Sequence, residues 1–107
     1  MWLVTVVRVQ VLYFDDCPNW EATARLAQAL MPCGSEPELV RVETPADAER
    51  WQFRGSPTVL IDGSDPFFDG STPVGLACRV YRTPAGLAGA PTTDQLAAAF
   101  AAASAAS

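Results

Sequence analysis

Three cysteines, Cys17, Cys33 and Cys78, are the side chains of this 107-residue chain best suited to covalent chemistry. No histidine accompanies them, which excludes thiol–imidazole dyads of the protease kind and zinc sites with histidine ligands. The odd count argues against a secreted disulfide framework and leaves at least one thiol free. Cys17 stands out by position. It follows the apolar run Val11-Leu12-Tyr13-Phe14 and the turn pair Asp15-Asp16, and it precedes Pro18. That pattern predicts a buried strand passing into a helix, with Pro18 at the first helical position, where its missing N–H would lack a partner anyway. Unpaired N–H groups of a first helical turn favour a thiolate at Cys17, the reactive form. Asp15 and Asp16 oppose it, each by about 2 kcal/mol for a charge ~8 Å away at an effective dielectric of ~20.

Three positions after Cys17 stands Trp20, so no local disulfide can form. Either one thiol works through mixed disulfides, or another cysteine resolves them. Cys78, in a predicted strand after a long loop, is the candidate resolver; the plainer alternative is a strand cysteine acting as a small hydrophobe. Cys33 lies between Pro32 and Gly34 at a helix end and reads as incidental. Trp20, one turn into the helix, is placed to cover Cys17. A second signal is Gly55-Ser56-Pro57-Thr58. Proline cannot donate to a sheet ladder, so Pro57 marks either a plain strand start or a cis Ser56–Pro57 peptide. Asp62, Asp65 and Asp69 suit Asp-Gly and Asp-Pro turns better than a hard-metal cluster, and neither a metal nor another cofactor is expected.

The elements that must position these groups follow from periodicity. Residues 3–14 read as a first strand buried on both faces. Trp20, Ala24, Ala27 and Met31 recur at helical spacing until Pro32 and Gly34 stop the helix. Glu38–Glu43 alternates as a second strand. Thr44 caps a short helix with Pro45 at its first position and Asp47 near the positive end of its dipole, ending before Gly55. Trp51 and Phe53 fasten that helix. Pro57–Ile61 is the third strand, 62–75 a long turn-rich connection, and Leu76–Arg82 the fourth strand. Thr92 and Gln95 make a capping box for a last helix whose 101–107 tail frays. The order β-α-β-α-β-β-α predicts one α/β domain over 1–107, with a four-stranded mixed sheet of order 2-1-3-4 flanked by helices.

Bulk properties agree with one small globule. Half the residues are hydrophobic and 18 % are charged, and a chain of this size buries roughly 65 % of its unfolded surface without staples. The net charge is −5, and the basic residues are scattered singly, which argues against nucleic acid as a partner. The apolar start Met1–Val7 is too short for a membrane span and lacks a basic leader, so cytoplasmic residence and no membrane association are expected.

Taken together, the strand ending at Phe14, the string Cys17-Pro18-Asn19-Trp20, and Gly55-Ser56-Pro57-Thr58-Val59 resemble the thioredoxin superfamily over nearly the whole chain. YFDDCPNW, RGSPTVLIDG, DPF and GLACRVYRT look like a short group of actinobacterial-type thioredoxin-like proteins. Its members carry the labels "DF family (seleno)protein" and alkylmercury-lyase-like. The resemblance implies a thioredoxin-like fold, a cis Pro57 lying against Cys17, and substrate-binding groups at Pro18, Trp20, Ser56, Pro57 and Thr58. It implies a thiol–disulfide oxidoreductase or redox carrier without a CxxC motif. Cys17 would attack a disulfide of a protein or small-molecule thiol, and Cys78 or an external thiol would resolve it. Two other readings stand beside this one. Cys17, Cys78 and Asp15 or Asp16 could hold a soft metal or an organomercurial, or the fold could be a non-redox binding module.

Overall fold

The computed structural model describes residues 8–32, 34–68, 70 and 72–105. The predicted strand residues 3–7, together with Cys33 and Asp69, lie outside that set. Strand β1 (Val9–Tyr13) is central. Helix α1 (Trp20–Leu30) carries the chain across to β2 (Glu38–Arg41), which pairs parallel with β1, Val11 opposite Leu39. After α2 (Pro45–Trp51), β3 (Thr58–Ile61) pairs antiparallel on the other edge of β1, Val11 opposite Val59. The result is a mixed α/β domain with a three-stranded sheet of order β2-β1-β3.

Side-chain alternation along β1 builds two cores, one on each face. Val9 and Val11 join Val59, Ile61, Ala27 of α1 and Leu96 of α3 (Thr93–Ala105). Leu12 points the other way, to Val42, Ala48 of α2, Phe53 and Leu60. Phe53, fully buried, and the half-buried Trp51 thus fasten α2 as expected. The predicted caps are present. Thr44 Oγ1 accepts from Asp47 N–H at 3.1 Å with Pro45 behind it. In the capping box, Gln95 N–H donates to Thr92 Oγ1 and Thr92 N–H donates to Gln95 Oε1. At the end of β3, Asp62 and Gly63 both take positive φ, 53° and 83°. Ile61 and Ser64 bond across them in a tight turn of the kind Asp-Gly favours.

Two expectations fail. Among the described residues there is no four-stranded sheet of order 2-1-3-4. The segment Leu76–Arg82 does not lie along β3; its backbone reaches the entry to that strand through a single parallel bridge between Ser56 and Cys78. Beyond that bridge, Pro57 has no N–H to give. The Arg79 and Tyr81 side chains turn inward and bond to Thr58 and to the Pro57 carbonyl. Backbone pairing resumes only within a separate hairpin, β4 (Tyr81–Thr83) with β5 (Gly86–Ala88).

The second correction is the start of α1. The helix begins at Trp20 with Asn19 as its cap residue, so Pro18 sits in the preceding turn and not at the first helical position. Asn19 makes no side-chain cap because its amide lies against Gly89, where a Cβ would come within 2.2 Å of Nδ2. Among the described residues, no helix is long and apolar enough to cross a membrane.

Candidate functional site

Cys17 closes the turn that follows β1. Its N–H donates to the Phe14 carbonyl at 3.1 Å, and the residue is 3 % exposed. The thiol donates to the Ser56 carbonyl at 3.4 Å. Ser56 belongs to the loop that enters β3, and the Ser56–Pro57 peptide is cis. The cysteine and the proline loop, far apart in sequence, are therefore in direct contact.

The same Ser56 peptide brings in the second cysteine. Ser56 N–H donates to the Ala77 carbonyl at 2.8 Å, and Arg79 N–H donates to the Ser56 carbonyl at 2.9 Å. These two bonds hold Cys78 beside Ser56, the same peptide whose carbonyl accepts from the Cys17 thiol, so the second cysteine is brought near the first. Both cysteines are free, Cys17 buried and Cys78 exposed. Partial loss of hydration and the neighbouring Cys17 raise the Cys78 thiol above its ordinary value.

A buried polar framework underlies the pair. The Arg79 side chain is 2 % exposed and donates to Asp65 Oδ2 at 2.6 Å and to Thr58 Oγ1 at 3.3 Å. Its guanidinium carbon lies 4.9 Å from the centre of the Tyr81 ring. Tyr81 donates its hydroxyl proton to the Pro57 carbonyl, and Thr58 Oγ1 donates to the Gly55 carbonyl at 2.6 Å. Each carbonyl from Gly55 to Pro57 therefore has a donor. Gly55 is required here. Its φ is +112°, and a Cβ would stand 2.9 Å from Arg79 Cβ and 3.0 Å from Arg79 Cα and N.

Of the residues singled out from the sequence, Cys17, Cys78, Ser56 and Pro57 come together. Thr58 is buried beneath them with its hydroxyl engaged. Pro18 is exposed in the turn after Cys17. Trp20 stacks on Tyr13, ring centres 4.0 Å apart and planes 18° apart, and so is occupied on the β1 side. Asp15 is exposed and paired with Arg41, not with a thiol. Among the described residues, no three His, Cys, Asp or Glu side chains form a metal-holding group. Sequence reasoning missed Arg79, Tyr81 and the pairing role of Asp65. The available signal was the alternation in Cys78-Arg79-Val80-Tyr81, which puts an arginine on the same side as a tyrosine and opposite the thiol.

Two consequences can be measured. Gly55→Ala forces a strained φ and pushes on the Arg79 backbone, so denaturant unfolding should show a loss of at least about 2 kcal/mol. Burial also raises the Tyr81 hydroxyl far above the usual tyrosine value, the Asp65 charge adding to it and Arg79 partly offsetting it. An unfolded tyrosine releases its proton near pH ~10 while native Tyr81 holds it, so the unfolded state binds fewer protons and stability falls as pH rises from there. The slope approaches about 1.4 kcal/mol per pH unit and should be absent from Tyr81→Phe in unfolding curves compared above that pH. No family model, curated protein or solved structure matches this chain, so the geometry of Cys17, Cys78 and their neighbours carries its functional reading.

Proposed function

We propose that this chain is a thioredoxin-like thiol redox protein that cycles Cys17 and Cys78 between two thiols and one disulfide. The meeting of both cysteines at the Ser56 peptide, Cys17 through its thiol and Cys78 through a backbone bridge, carries the reading. Further support comes from the parallel β1-α1-β2 unit, the antiparallel β3 and the cis proline beside the buried cysteine. The pair stands in place of a local CxxC motif. One thiol comes from the turn after β1 and the other from the segment that crosses in front of it.

The chemistry is two successive exchanges. A thiolate of the pair attacks a substrate disulfide, forms a mixed disulfide and releases one substrate thiolate. The other thiol of the pair, after losing its proton, attacks the protein's own sulfur in that mixed disulfide. It forms the Cys17–Cys78 bond and releases the second substrate thiolate. Two electrons pass to the substrate, and a second thiol compound restores the reduced pair by the reverse steps. A soft-metal grip would draw on the same two sulfurs, but no carboxylate completes it among the described residues.

Treating the reduced protein with excess hydroxyethyl disulfide should yield an internal Cys17–Cys78 disulfide, located by peptide mapping, with one hydrogen lost from each thiol. Neither Cys17→Ser nor Cys78→Ser should form it. A wild-type protein that stays reduced, or that keeps only hydroxyethyl adducts, would overturn the proposal. The proximity itself has a separate readout. Cys17→Ser removes the neighbouring thiol that helps hold the Cys78 proton, so the pH midpoint of Cys78 alkylation should move down. An unchanged midpoint would mean the thiols are not neighbours in solution.

A further inference from the structure

Any exchanging pair contains one sulfur that bonds to the outside partner and one that stays internal. We infer that Cys78 is the partner-bonding sulfur and Cys17 the internal one, which reverses the roles expected from a cysteine placed before a helix. This assignment rests on the proposed disulfide exchange.

Accessibility is the first ground. Cys17 is 3 % exposed, whereas Cys78 is exposed together with its chain neighbours Leu76, Ala77 and Val80. A partner sulfur can reach Cys78 with no movement of the protein.

The second ground is what covers Cys17. The Ser56 carbonyl that accepts from the Cys17 thiol also accepts from Arg79 N–H, and Ser56 N–H is taken by Ala77. The segment that carries Cys78 thus occupies the backbone groups next to Cys17. It is also fastened there. The Arg79 side chain reaches beneath it to Asp65 and Thr58, and the Arg79 backbone packs where Gly55 has no side chain. Exposing Cys17 to a bulky partner requires breaking these bonds, while exposing Cys78 requires none.

The assignment holds in both directions. In the reduced protein, Cys78 first gives up its proton to solvent; its thiolate then attacks the partner disulfide, and the bond between the partner's sulfurs breaks. One partner thiolate leaves, and the other half stays on Cys78. Cys17, once deprotonated, then attacks Cys78 Sγ and expels the second partner thiolate. In the oxidised protein, an incoming partner thiolate attacks the accessible Cys78 Sγ, and the Cys17–Cys78 bond breaks to release Cys17 as a thiolate that takes up a proton. The mixed disulfide sits on Cys78 each time. Burial of Cys17 then keeps a second partner disulfide from capping it before the internal step.

The test uses the two single-serine variants, with circular dichroism as the check that each is folded, and hydroxyethyl disulfide as the probe. Cys17→Ser should accumulate a stable adduct mapped to Cys78. Cys78→Ser should react at Cys17 at least about tenfold more slowly, because its thiol waits for local opening. Low urea should speed the Cys17 reaction and leave the Cys78 reaction unchanged. A fast, urea-insensitive adduct on Cys17 in Cys78→Ser, with little on Cys78 in Cys17→Ser, would overturn the assignment while wild type still forms the internal disulfide. Loss of that wild-type disulfide would instead count against the exchange itself.

Discussion

The Ser56 peptide is the point on which the rest of this structure depends. Its carbonyl accepts two hydrogen bonds, one from the Cys17 thiol and one from Arg79 N–H, and its N–H donates to Ala77. A carbonyl has two lone pairs, and both are used here. One peptide unit thereby joins the turn after β1, the start of β3 and the segment ahead of the β4–β5 hairpin. Break either of the two backbone bonds and a buried N–H is left unpaired, at a cost of about 1–3 kcal/mol. The proximity of the thiols is a consequence of that shared peptide. Neither cysteine reaches the other through its own local structure.

Beneath the peptide, the Arg79–Asp65 pair shows why a charge can sit in this interior. Taking an ion pair out of water costs several kcal/mol per ion unless the remaining donors are satisfied. Arg79 donates from Nη1 to both Asp65 and Thr58, and its guanidinium lies beside the Tyr81 ring. The pair also ties Asp65, in the long 62–75 connection, to the residue next to Cys78. The first four residues of that connection are thus held by this buried bond and by the Asp-Gly turn, where Asp62 also accepts from Arg8 N–H.

The local parts of this arrangement were legible before any coordinates. The solid apolar run at Val11–Phe14 marked a strand buried on both faces, and Val11 and Leu12 do enter opposite cores. Thr44-Pro45, Thr92 and Gln95 carried their caps in plain view, because caps are set by neighbours along the chain. Pro18 misled by one turn. Its suitability for a helix start is a local preference, and the helix instead begins at Trp20, with the Asn19 amide lying against Gly89, 70 residues on. Leu76–Arg82 misled more seriously. It has the alternation of a strand, yet its partner is one peptide and two inward side chains. Nothing in a period-two pattern separates pairing through the backbone from pairing through Arg79 and Tyr81.

Placing the two sulfurs so far apart in sequence has a thermodynamic consequence that a CxxC motif lacks. A Cys17–Cys78 disulfide closes a loop of about sixty residues, which in the chain-entropy account stabilises the folded state by about 4 kcal/mol. The same free energy appears on the other side of the cycle, because a fold that is stabilised by the bond stabilises the bond to the same extent. A four-residue loop, closed within one helical turn, gains much less from folding. The framework around Ser56, by holding the thiols together in the reduced state, therefore favours closing the disulfide over opening it. In the proposed exchange, that bias would make the reduced pair the better electron donor and favour reduction of a partner disulfide.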